Sequence, residues 1–209
     1  MIRSIWLVLL IHFAFALGQP NPEPVGFKHF LARFMTYSSL TADFQQTITG
    51  TFGDERADGT LWLKRPHFMK WEYRSPEPQF FYFYEREYSI YQPLERQVFI
   101  QTLDQDDLDQ SPLAFLLNEN DRWPNGYDIE EVAGSNQRET FILSQKNDRT
   151  PFGRVILHVR TTDFVIEEMV LYEDNGMVHR YRFHNIRTDE PVSDKMFRFK
   201  PPRGVQVIR

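Results

Sequence analysis

Cysteine occurs nowhere in the 209 residues. That excludes a disulfide framework and an N-terminal lipid-anchored cysteine, so a secreted form must be held by packing alone. With six scattered histidines and no thiols, a metal site is not expected. His179 and His184 are an odd number of positions apart, so on one regular strand they face opposite ways. Long apolar runs are missing as well. Ile5 to Leu17 is the longest, and it falls short of the roughly 20 residues that a membrane-spanning helix needs. There is no basic block, and the net charge is −5, which argues against a nucleic-acid partner. No P-loop, G-x-S-x-G, H-E-x-x-H or G-x-G-x-x-G is present. Asp104, Asp106, Asp107 and Asp109 resemble the start of a calcium loop, but the sixth position is not glycine and the twelfth is Phe115. The acids are numerous, yet no spacing singles out a catalytic pair. An unrecognised secreted hydrolase stays open, because catalytic pairs are often distant in sequence.

What is present begins with Arg3, the apolar run to Leu17, and the small residues of Ala16-Leu17-Gly18. This is the pattern of a signal peptide, residues 1–18, cleaved after Gly18. Residues 19–209 are then one soluble domain, with no repeat and no linker, large enough for a sizeable core. Phe27, Phe30, Leu31 and Phe34 have the i, i+3, i+4, i+7 spacing of an amphipathic helix. Leu40, Ala42, Phe44, Ile48 and Phe52 alternate with polar residues along a strand, interrupted only at Gln46, and Gly53-Asp54 reads as the turn that follows. In Phe80-Phe81-Tyr82-Phe83-Tyr84 both faces are aromatic, so both must be covered. Ser111 as N-cap and Pro112 at N1 open a short apolar helix containing Leu113, Phe115, Leu116 and Leu117. Further strand patterns run from Tyr127 to Ile186, with Asp174-Asn175-Gly176 as a hairpin turn. Val192 to Met196 reads as one helical turn, and Phe197 and Phe199 are expected to pack in the barrel. The expected fold class is mainly β with α: about eleven antiparallel strands curling into an unclosed barrel, its apolar inside covered by two or three short helices.

The stretch Gly59 to Tyr73, GTLWLKRPHFMKWEY, organises the rest. Leu61 and Leu63 share one strand face; Met69, Trp71 and Tyr73 alternate with Lys70 and Glu72 on the next strand. Pro66 cannot donate to a ladder, so the strand breaks there and Arg65 is biased to extended backbone. On spacing alone Arg65 is a surface cation. Phe44, Leu61, Leu63, Trp71, Phe81 and Phe83 are either solid core or the wall of a cavity.

At this stretch the chain resembles the LolA family, the periplasmic outer-membrane lipoprotein carriers of Gram-negative bacteria. Ala42-Asp43-Phe44-Gln45-Gln46, Ser111-Pro112-Leu113 and the ending Phe197 to Val207 fit that resemblance in order and spacing. It implies an unclosed β-barrel with a helical lid over a hydrophobic cavity. It implies a non-enzymatic periplasmic carrier without cofactor, expected as a monomer. Its partners would be acylated lipoproteins, an inner-membrane ABC transporter that releases them and an outer-membrane acceptor. Residue by residue, Arg65 becomes the latch on the lid, Leu113, Phe115, Leu116 and Leu117 the lid helix, and Met69 a contact with the transporter. Phe44, Leu61, Leu63, Trp71, Phe81 and Phe83 become the acyl-chain cavity. The competing binding-class reading is an envelope lipid-binding or stress-sensing domain on the same fold.

Overall fold

A computed structural model describes residues 25–51, 53–103, 126–135, 137–146 and 152–209. The chain runs α1 (Val25–Phe34), β1 (Ser39–Gly50), β2 (Gly53–Lys64), β3 (Phe68–Ser75), β4 (Gln79–Tyr84), β5 (Glu87–Gln92) and β6 (Gln97–Thr102). It continues with β7 (Tyr127–Ser135), β8 (Arg138–Gln145), β9 (Arg154–Arg160), β10 (Ile166–Tyr172), β11 (Val178–Thr188), a 3-10 turn (Asp194–Met196) and β12 (Gln206–Ile208). The expected signal peptide and the expected lid helix with Leu113, Phe115, Leu116 and Leu117 lie outside the described residues.

All twelve of these strands form one sheet, ordered β12-β6-β5-β4-β3-β2-β1-β11-β10-β9-β8-β7. Two meanders meet at β1: β1 to β6 step outward on one side, and β7 to β11 step back inward on the other. The outermost strands β12 and β7 do not pair, so the sheet is unclosed. Its pairing is antiparallel except at one edge. There β12 runs parallel to β6, with Val207 opposite Val98, which departs from the wholly antiparallel barrel expected. One α-helix and one 3-10 turn lie among the described residues, the latter within the helical turn expected at Val192 to Met196.

The strand break falls where proline demands it. β2 ends at Lys64 and β3 begins at Phe68; the Arg65 amide still donates to the Ser38 carbonyl at 2.9 Å, one step beyond the last strand pair, before Pro66 ends the ladder. The preceding hairpin corrects the expected turn. Gly50 pairs with Gly53, so Gly53 and Asp54 already belong to β2 and the turn sits one step earlier. Gly53 takes a φ of 117°, which its lack of a side chain permits.

Directly paired residues share a sheet face, so register defines an inner face. Ala42, Leu61, Trp71, Phe81 and Ile90 form one row across β1 to β5; Leu40, Leu63, Met69, Phe83 and Tyr88 form the next. Beyond β1 the same face continues through Phe183, Tyr181, Met169, Leu157 and Phe141. The sheet curls about α1, because a single buried cluster joins Phe83 of β4 to Tyr127 of β7 and to Phe27, Phe30 and Phe34. Phe27 and Phe30 close on the Phe141 ring at 5.1 and 5.5 Å between centroids. Burying each such side chain is worth about 1.5–3 kcal/mol, and this holds a helix of only three turns that would not persist alone.

The second face of β4 is covered by the chain's own end. Phe199 packs on Tyr82 and Tyr91, and the fully buried Phe197 packs on Phe68. Phe68, Tyr82 and Tyr91 point away from the inner cluster. The two phenylalanines therefore seal the outside of the sheet and not, as expected, the inside of the barrel.

Candidate functional site

The six residues expected to line an acyl cavity do converge on the inner face. Phe44, Leu61, Leu63, Trp71 and Phe83 are buried in the packed cluster. Phe44 meets Trp71 and Tyr73 edge-on at 5.1 and 5.0 Å. Gly59 makes this possible: a Cβ there would lie 2.6 Å from the Phe44 ring and 1.9 Å from the Glu72 carbonyl. Phe81 is different. It is half-buried and borders an open pocket of about 340 Å³ together with Gln46, Ile48, Tyr73 and Gln79. A second open pocket, of about 480 Å³, lies at the β5–β6–β12 edge beside Tyr88, Ile90 and Phe99. The described residues thus present a packed inner face with open pockets at its margins.

Arg65 is half-buried, with its guanidinium carbon 5.2 Å from the centroid of the Phe34 ring at the end of α1. A cation beside the last turn of a helix is favoured by the helix dipole. Met69, expected as a partner contact, is fully buried on the inner face and presents no surface of its own in this arrangement.

At the other end of α1, the Gly26 amide donates to Glu131 Oε2 at 3.2 Å. Glu139 stands nearby with its Oε2 buried and no hydrogen-bond partner among the described residues. Burial, with Glu131 adding to it and His29 opposing, raises the Glu139 carboxyl above its ordinary value. On the outer face Asp43 moves the other way. It accepts from Asn185 and from Thr60, and those bonds lower its pKa.

Sequence reading missed a polar line across this apolar face. Gln46, the one interruption in the β1 alternation, is buried and donates from Nε2 to the Tyr181 hydroxyl at 2.8 Å. The same Nε2 lies 3.4 Å from His179 Nδ1, and His179 Nε2 lies 2.6 Å from Glu173 Oε1. Burial raises the phenols of both Tyr73 and Tyr181, so they remain protonated. Tyr88, beside them, is raised by burial to about 12. The signal was available: Gln46 occupies an inward position, and register places it opposite Tyr181.

The family model for the outer membrane lipoprotein carrier protein LolA matches residues 35–200. An outer-membrane lipoprotein carrier protein of Chromobacterium violaceum is 28% identical over 201 residues, covering 96% of each chain. One of Pseudomonas paraeruginosa is 30% identical over 174 residues, covering 82% of this chain and 81% of its own. Among solved structures, an uncharacterised conserved protein of Thermus thermophilus shares the fold at a TM-score of 0.58 and 14% identity, over 88% of this chain and 99% of that one. Carriers of this kind are binding proteins and not enzymes. With the match spanning the sheet from β1 to the C-terminal Phe197 and Phe199, the chain belongs to the LolA family.

Proposed function

We propose that this chain is a periplasmic carrier of acylated lipoproteins. It accepts them from an inner-membrane ABC transporter, shields their acyl chains and delivers them to an outer-membrane acceptor. On this reading residues 1–18 are removed on export and residues 19–209 form the single carrier domain, a monomer. The observation that carries the proposal is the broad, largely apolar inner face, with open pockets at its margins, in a chain of this family. No helix among the described residues is long and apolar enough to cross a membrane.

The physical need is plain. Each buried CH₂ is worth about 0.8 kcal/mol, so several acyl chains resist transfer through water by tens of kcal/mol. A carrier must cover that surface and still release it. Two states of similar free energy achieve this, because self-closure then competes with cargo. Arg65 is the proposed latch of the closed state, acting on the lid read at Leu113, Phe115, Leu116 and Leu117. Phe44, Leu61, Leu63, Trp71, Phe81 and Phe83 would take the acyl chains once the packed face opens. Met69 would shape the transporter contact from beneath.

The test is displacement of a hydrophobic fluorophore. Purified protein is expected to bind bis-ANS at one or a few sites at micromolar probe, and a triacylated lipopeptide is expected to displace it. Absence of binding with the fold intact by circular dichroism contradicts the reading.

A further inference from the structure

Gln46 is 5% exposed, and its amide is fixed from one side. On neutral His179 the proton sits on Nε2, 2.6 Å from Glu173 Oε1, which leaves Nδ1 as an acceptor. The Gln46 amide nitrogen lies 3.4 Å from that Nδ1 and donates to the Tyr181 hydroxyl at 2.8 Å. Both amide hydrogens are thus spent toward β11. Register places β11 on one side of Gln46 and Ala57 of β2 on the other. Because the amide is planar, its oxygen is turned to the β2 side, where it meets no donor among the described residues.

That side holds the open pocket of about 340 Å³, which Gln46 lines together with Ile48, Tyr73, Phe81, Glu77 and Glu95. No lysine, arginine or histidine lines it among the described residues. Glu77 and Glu95 are exposed, and neither has a cationic partner among the described residues. Glu55 adds a third carboxylate at this end, since it pairs with Ile48 in register and so shares its face. The Tyr73 and Phe81 rings stand edge to face, 5.7 Å apart. The pocket therefore combines a buried acceptor, a negative rim and an aromatic wall. A hydrocarbon would leave the acceptor and the rim unanswered, and an anion would be repelled. A cation with N–H donors on an apolar stem answers all three.

We propose that this pocket receives one basic side chain, a lysine or an arginine, from a partner polypeptide. The charged head donates to Gln46 Oε1, the stem lies on Ile48 and Phe81, and Glu77 and Glu95 hold the cation from the rim. The site lies at the end of the sheet marked by the β1–β2 hairpin and the β3–β4 and β5–β6 turns, whereas α1 ends beside Arg65 at the other. It sits at the margin of the buried cluster and is already open. Occupancy therefore needs no opening of the inner face, and the site stands independently of acyl-chain shielding.

The experiment is an NMR titration of the ¹⁵N-labelled protein, at low salt, with Nα-acetyl-lysine methylamide and with its norleucine counterpart, which has the same backbone and an uncharged stem. The lysine derivative is expected to shift the side-chain amide signals of Gln46 and to bind about 10-fold more tightly than the norleucine one, the span of a charge-assisted hydrogen bond. In the double variant Glu77→Gln/Glu95→Gln, which alters only exposed groups, binding of the lysine derivative is expected to weaken about 3- to 10-fold, the span of two exposed ion pairs. The norleucine derivative is expected to bind the variant as it binds wild type. Equal binding of the two derivatives to wild type overturns the proposal, because the pocket then takes apolar matter. No binding at millimolar lysine derivative, shifts that spare Gln46, or a double variant that binds like wild type overturns it as well.

Discussion

Arg65 and Glu139 show how a single charge acts at the margin of an apolar face. On the latch proposal, Arg65→Leu removes a charged donor whose hydrogen bonds are worth about 1.5–3 kcal/mol to the closed state alone. Apparent affinity for acylated cargo is then expected to rise by about 10- to 100-fold, and release to acceptor-bearing vesicles to slow. Release at the wild-type rate contradicts the latch. Arg65→Lys is expected to restore release only in part, because an ammonium lacks the planar fork of donors. Glu139 has the opposite character, since its ionised form is what the fold penalises. Its folded pKa is raised above about 4.5, so stability falls as pH rises through that value toward the folded one and stays lower above it. Glu139→Gln, which removes the charge and keeps the shape, is accordingly expected to stabilise the protein at pH 7. The gain is expected to vanish below pH 4, where both side chains are neutral; equal thermal midpoints at pH 7 contradict the account. Arg65 was legible through its motif. Glu139 was not, because nothing in its local pattern announces the packing of α1 near its carboxylate.

Elements with strong periodicity were readable, and those defined by distant partners were not. The aromatic stripe of α1, the alternation in β1 and the proline break after β2 each follow from neighbours in the chain. Phe81 and Phe83 inward with Phe80 and Tyr82 outward also follow from alternation. What covers the outward pair does not, because the C-terminal segment reaches it from more than a hundred residues away. Gln46 is the instructive case. Its break in the pattern was visible, but its meaning depends on Tyr181 and His179 of β11, which only the register at β1 brings opposite. The packing of the C-terminal segment gives a prediction at this scale. Phe197 is fully buried against Phe68, so Phe197→Ala is expected to cost about 3–5 kcal/mol in denaturant unfolding. Phe199 is only half-buried, and its truncation is expected to cost less. A midpoint unchanged by Phe197→Ala shows that this end does not seal the sheet.

The molecule as a whole is a curled, unclosed sheet with one apolar face turned inward upon a short helix. Fold class was legible because alternation, turn residues and the absence of cysteine point to a sheet that depends on its core. The parallel pairing of β12 with β6 was not, since a three-residue strand carries no signal of direction. On the carrier proposal, opening of the inner face is a balance between packing of its own aromatics and burial of a ligand. The same apolar surface would serve both, which is why Phe44, Leu61, Leu63, Trp71 and Phe83 are core in this arrangement and proposed acyl contacts in another. The central claim is that this surface exists to carry acylated protein between membranes. Native mass spectrometry of the protein recovered from the periplasm tests it most directly: the account predicts a one-to-one complex with a triacylated lipoprotein, and recovery with free lipid alone, or with no acylated partner at all, would contradict it.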